Sequence, residues 1–138
     1  MNSLFLYITI ITLTAVNFKP VQLIEFSDSY LKEIDEKIKE CQANNATRAS
    51  EEWLKTEDLA TADQYGSHIL CRLTKEGSIK PNGDIDEEEM EKDLLRGLGD
   101  PKIVNLIMND CKDRVPGTSP EESAVENFKC VILAAEKY

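Results

Sequence analysis

Tyr65-Gly-Ser-His-Ile-Leu-Cys-Arg-Leu-Thr-Lys-Glu-Gly77 is the stretch on which the reading of this chain turns. Ile69, Leu70 and Leu73 form an apolar stripe at helical spacing, Lys75 falls in the last turn, and Gly77 stands where a helix stops. Cys71 lies in the middle of that stripe, so a disulfide made there staples this helix to another part of the chain. The spacing predicts a central helix with the other helices wrapped around it.

Working outward toward the N-terminus, Ser27 or Ser29 caps a first helix. In it Leu31, Ile34, Ile38 and Cys41 recur at three- and four-residue steps, with Glu33, Asp35, Glu36, Lys37 and Lys39 on the other face. A polar break at 42–47 follows. Thr47 or Ser50 then opens a short second helix through Trp53 and Leu54, and a connector at 56–61 leads to the central helix.

On the other side, Asp84 or Asp86 opens a fourth helix with acids in its first turn, as the helix dipole favours. Met90, Leu94 and Leu95 are its apolar side, and Gly97 and Gly99 are expected to stop it. Asp100-Pro101 is an N-cap followed by proline at the first helical position, and it starts a fifth helix carrying Ile103, Val104, Ile107, Met108 and Cys111 in register. After a turn-rich link, Ser119 caps a last helix through Val125, Phe128, Val131 and Ile132. Outside residues 4–16 no segment alternates as a half-buried strand does. The chain reads as an all-α, six-helix domain.

Residues 4–16 (LFLYITIITLTAV) form an uncharged apolar run. A membrane span needs about 20 residues, whereas the hydrophobic region of a secretory signal is shorter. The expected organisation is a signal peptide over 1–18, cleaved between 15 and 20, followed by one domain over 19–138. Neither Asn2 nor Ser3 supplies the usual basic start, so an anchor or a buried first helix is the rival reading. The net charge of −10 opposes binding to nucleic acid or anionic lipid, and no membrane insertion is expected.

Four cysteines, at 41, 71, 111 and 130, read as two disulfides in a small secreted chain. Three pairings are possible, and each bridge would contribute about 3–4 kcal/mol by restricting the unfolded chain. A zinc site is disfavoured because the cysteines lie at least nineteen residues apart. Residues 78–89 match part of an EF-hand calcium loop, but Ser78 and Lys80 stand where acidic or amide ligands belong. Neither a metal nor any other cofactor is expected. No nucleophile–base grouping or phosphate loop is found, and Glu87, Glu88 and Glu89 read as a solvated helix face, so the chain does not read as an enzyme. Asn45-Ala-Thr47 is a glycosylation sequon in a loop.

The cysteine pattern resembles that of the insect odorant-binding proteins of the pheromone-binding and general odorant-binding type, which have six helices and six cysteines. Cys41, Cys71, Cys111 and Cys130 match the first, third, fourth and sixth, while the second and fifth positions fall on Ser67 and Glu121. Those two positions bond to each other in the family, so their joint loss resembles the four-cysteine Minus-C branch. The resemblance implies pairing Cys41 with Cys71 and Cys111 with Cys130, around an apolar cavity. It also implies a secreted carrier that binds odorants, pheromones or similar small hydrophobic molecules reversibly and moves them through aqueous fluid. The expected partners are such a ligand and, indirectly, an olfactory receptor, with the carrier a monomer or weak dimer.

The expected lining is Trp53, Leu54, Ile69, Leu73, Met90, Leu94, Ile107, Phe128 and Ile132. Each taken alone is also readable as ordinary core, and Trp53 as a core plug. His68, the sole histidine, suggests a pH-sensitive release role beside the plainer reading of a core histidine. Tyr65, Tyr138 or Ser67 could offer a ligand a hydrogen bond, or simply lie at the surface. The alternative function is a secreted helical interaction protein, an inhibitor or signalling factor, with a filled core.

Overall fold

The computed structural model describes residues 26–138; the apolar run and the boundary of its removal lie outside the described residues. Six α-helices are present among them: α1 Asp28–Gln42, α2 Glu51–Thr56, α3 Gly66–Glu76, α4 Glu87–Leu98, α5 Pro101–Cys111 and α6 Pro120–Lys137. A 3-10 turn, Ala62–Tyr65, feeds directly into α3. The described residues form no strand, only an isolated bridge between Ile79 and Ile85.

The helix ends follow from local chemistry. Ser27, Ser50, Asp86, Asp100 and Ser119 each accept a hydrogen bond from a backbone N–H of the first turn they precede. At Ser119 the bond is reciprocated by Glu122, making a full capping box ahead of α6. Gly77 ends α3 at φ +87°, a left-handed conformation that costs glycine little. Gly97, expected as a stop, instead lies inside α4, and Gly99 ends the helix. The reason for Gly97 is tertiary: a methyl group there would meet Tyr30 Cε1 at 2.8 Å and Phe26 Cδ1 at 3.0 Å, so α1 rests directly on the backbone of α4.

α3 packs chiefly on α6 and also touches α1 and α4. It is central in part only, because α5 reaches the rest of the domain through α4 and α6 rather than through α3. Two cores result. One gathers Trp53, Ile69, Leu73, Ile79, Val125 and Phe128; the other gathers Met90, Leu94, Val104, Ile107, Met108 and Ala134. Disulfides Cys41–Cys71 and Cys111–Cys130 join α1 to α3 and α5 to α6, with Cα separations of 6.0 and 5.7 Å. Both pairs match what the family resemblance implies.

Candidate functional site

Between the two cores, α1, α3, α4 and α6 do not close completely. They leave a cavity of about 720 Å³, within the size range of small-molecule sites. Tyr30, Leu31 and Ile34 form its α1 wall, and Leu31 is half exposed because the apolar face of α1 meets open space rather than packed side chains. Leu73 comes from α3, Met90 and Leu94 from α4, and Phe128, Val131, Ile132 and Ala135 from α6. Exposed Phe26 and Glu136 stand among the lining residues, so the cavity reaches the surface.

Of the nine residues expected to line a cavity, the structure brings Leu73, Met90, Leu94, Phe128 and Ile132 together there. The other four lie elsewhere. Trp53 and Ile69 are buried in the first core with Leu54 packed against it, and Ile107 is buried in the second. The correction has a physical cause. Helical periodicity reports which face of a helix turns inward, but not whether another side chain or empty space meets it.

Trp53 is the core plug of the rival reading. Its ring stacks on Tyr65 with centroids 4.6 Å apart, and its indole N–H donates to the Asp58 carbonyl at 3.1 Å. Tyr65 hydrogen-bonds Ser50 and Tyr138 donates to Asp110, so neither hydroxyl faces the cavity, and Ser67 is exposed. His68 is also absent from the lining. It is 2% exposed, its Nδ1 lies 2.9 Å from the Thr47 carbonyl, and its Nε2 has no partner among the described residues. Burial lowers its pKa below the ordinary histidine value, with the Thr47 bond opposing that shift.

The polar part of the wall escaped the sequence reading. Arg72 donates from Nε to Glu76 at 3.1 Å and from Nη1 to Glu57, and its guanidinium lies 5.8 Å from the Phe128 ring centroid. Burial works against the charge on Arg72, but the two carboxylates outweigh it and hold the guanidinium protonated. Burial pushes the Glu76 carboxyl up, an effect Arg72 only partly reverses. Opposite, the Tyr30 hydroxyl donates to Asp93 at 2.8 Å, and Arg96 binds the same carboxylate at 2.7 Å. Burial and the Asp93 charge drive the Tyr30 pKa far up, so its hydroxyl stays a donor.

A signal for this group was available. Arg72 and Glu76 lie three residues after Ile69 and Leu73 respectively on α3, and Asp93 shares the α4 face of Met90, Leu94 and Gly97. A charge inside an apolar stripe is the mark of a buried pair or a site.

A model of the PBP/GOBP family matches residues 24–133. The long form salivary protein D7L1 of Aedes aegypti is 27% identical over 73 residues, which is 53% of this chain and 22% of that protein, so this chain corresponds to only a part of it. Among solved structures, the fatty acid binding protein OBP56a from the oral disk of the blowfly Phormia regina matches with a TM-score of 0.64. The match covers 84% of this chain and 100% of that one at 20% identity, and it shows a shared fold.

Proposed function

The chain belongs to the PBP/GOBP family, and on that premise we propose that it is a secreted carrier. In this reading it takes small hydrophobic molecules such as odorants or pheromones into the cavity between α1, α3, α4 and α6 and releases them intact. The observation that carries the reading is the cavity itself: about 720 Å³ lined mostly by apolar side chains, inside a shell whose helices are held by two disulfides. Apolar walls with a few polar groups are the usual form of a small-ligand site. Leu73, Met90, Leu94, Phe128 and Ile132, with Tyr30 and Ile34 across from them, are the proposed contacts. The Phormia regina neighbour, by its name, binds a fatty acid in this fold, which supports a guest with an apolar chain of that kind and leaves the choice of head group to the wall residues of this cavity.

Two paired cysteine bonds and the absence, among the described residues, of a helix long and apolar enough to cross a membrane are consistent with export. The rival reading of an interaction protein requires a filled core, and a cavity of this size weighs against it.

The test is titration of the oxidised chain with an environment-sensitive apolar dye, followed by competition with small volatiles. Saturable uptake near one dye per chain, reversed by the competitors, is the expected result. Dye fluorescence is the proper readout, because Trp53 lies behind Phe128 rather than in the cavity. Absence of saturable uptake would reject the carrier reading.

A further inference from the structure

We infer that Glu57 and Glu76 are specificity-determining residues of the proposed carrier: by neutralising Arg72 they turn carboxylate ligands away and leave the cavity to uncharged, oxygen-bearing ones. The inference rests on the carrier reading above.

Among the described residues Arg72 is the one basic residue lining the cavity, and its charge is taken up by two carboxylates. Its side chain is 13% exposed, against 5% for Glu76 and 27% for Glu57, so all three groups are largely withdrawn from solvent. Two carboxylates on one guanidinium make a cluster of formal charge −1. Glu76 is pushed toward its protonated form by burial, and even protonated it leaves the cluster neutral, never positive. The remaining acids of the lining do not help an anion. Asp93 is already bound by Tyr30 and Arg96, and Glu136 adds a further negative charge at the exposed side. A ligand carboxylate would shed its water only to face this acidic wall, with no unneutralised cation among the described lining residues to receive it. An alcohol, aldehyde or ester carries no such charge. The hydrogen bonds of Arg72 among the described residues run from Nε and Nη1, so Nη2 can still donate to a ligand oxygen, but without the net positive charge that would repay a carboxylate for its lost water.

The backbone supplies an independent observation. Glu57 ends α2 at φ +43°, ψ +44°, and it is the sole non-glycine residue with positive φ among the described residues. Glycine occupies such a helix end without steric cost, whereas a residue with a Cβ does not. Here the strained residue is the one whose carboxylate reaches Arg72, and strain retained at a cavity wall points to a role there.

The experiment is displacement of the apolar dye from the oxidised chain by decanol, methyl decanoate, decanoate and decylamine at neutral pH. These share one chain length and differ in head group. Decanol and methyl decanoate should compete about tenfold or more better than decanoate, since placing like charges together in a dry site costs several-fold more than that factor requires. Glu76→Gln, and separately the less buried Glu57→Gln, each remove one negative charge from the wall and leave the cluster neutral, so the affinity for decanoate relative to decanol should rise about tenfold. Two variants are used so that misfolding of one leaves the other to decide. Decanoate or decylamine binding more tightly than decanol to the unaltered chain would overturn the inference while leaving the carrier reading intact. An unchanged acid-to-alcohol ratio in both variants would do the same. Failure of all four compounds to displace the dye would remove the carrier reading and this inference together.

Discussion

Gly66 and Glu121 meet so closely that a methyl group on Gly66 would stand 3.1 Å from the β-carbon of Glu121. The first turn of α3 therefore rests on the first turn of α6, and Ser67 and Glu121, the two positions where the resemblance places a lost disulfide, belong to these turns. The double substitution Ser67→Cys/Glu121→Cys should form a third bridge and stabilise the chain by about 2–4 kcal/mol. Hydrogen exchange at the starts of α3 and α6 should slow, and the range of competing ligands should narrow. Two free thiols after oxidative refolding would show that the turns are not aligned for a bond.

Gly97 supports α1 from below. Alanine there gains about 1 kcal/mol of helix propensity, but its methyl group meets the rings of Tyr30 and Phe26, and overpacking of this kind costs about 1–3 kcal/mol. Gly97→Ala should lower the melting temperature and weaken dye uptake, since both rings line the cavity. A raised melting temperature would mean that α1 yields without loss.

His68 should make stability fall with acid. Its folded-state pKa is depressed by burial, so the unfolded chain takes up a proton first as the pH drops. Its contribution is complete above the unfolded value of about 6.5 and is lost as the pH falls from there toward the folded value. Urea midpoints measured from about pH 7 to pH 5 should decline more steeply for the native chain than for His68→Gln. Equal slopes would remove His68 from the account.

Ile132 and Leu54 separate cavity from core. Ile132 lines the cavity, whereas Leu54 packs on the first core. Ile132→Trp should narrow the cavity and weaken saturable dye uptake at little cost in stability. Leu54→Ala should cost about 2 kcal/mol, being only partly buried, and leave the dye affinity nearly unchanged. The reverse pattern would place the ligand under α2.

The helices were legible because their signals are local. An oxygen side chain placed before a first turn, proline after Asp100, and glycine after Glu76 act through neighbouring backbone groups, whatever the rest of the chain does. Gly97 was misread for the converse reason. A glycine that ends a helix and one that admits a neighbouring ring look alike in sequence, and only the ring of Tyr30, sixty-seven residues earlier, distinguishes them.

The sequence by itself determined the all-helical class, the caps and the cysteine pattern through which the family could be recognised. All of these are set by contacts a few residues apart or by residue spacing alone. Where the apolar stripes meet each other and where they meet a void was decided by tertiary structure. Ile69 and Leu73 lie one turn apart on the same face of α3, yet Ile69 is sealed in the core and Leu73 borders the cavity. Arg72 likewise became part of the wall through Glu57, whose carboxylate approaches from another helix end fifteen residues away. A cavity is the volume that several helices jointly fail to fill, so its position is a property of their packing and has no signature in any one of them.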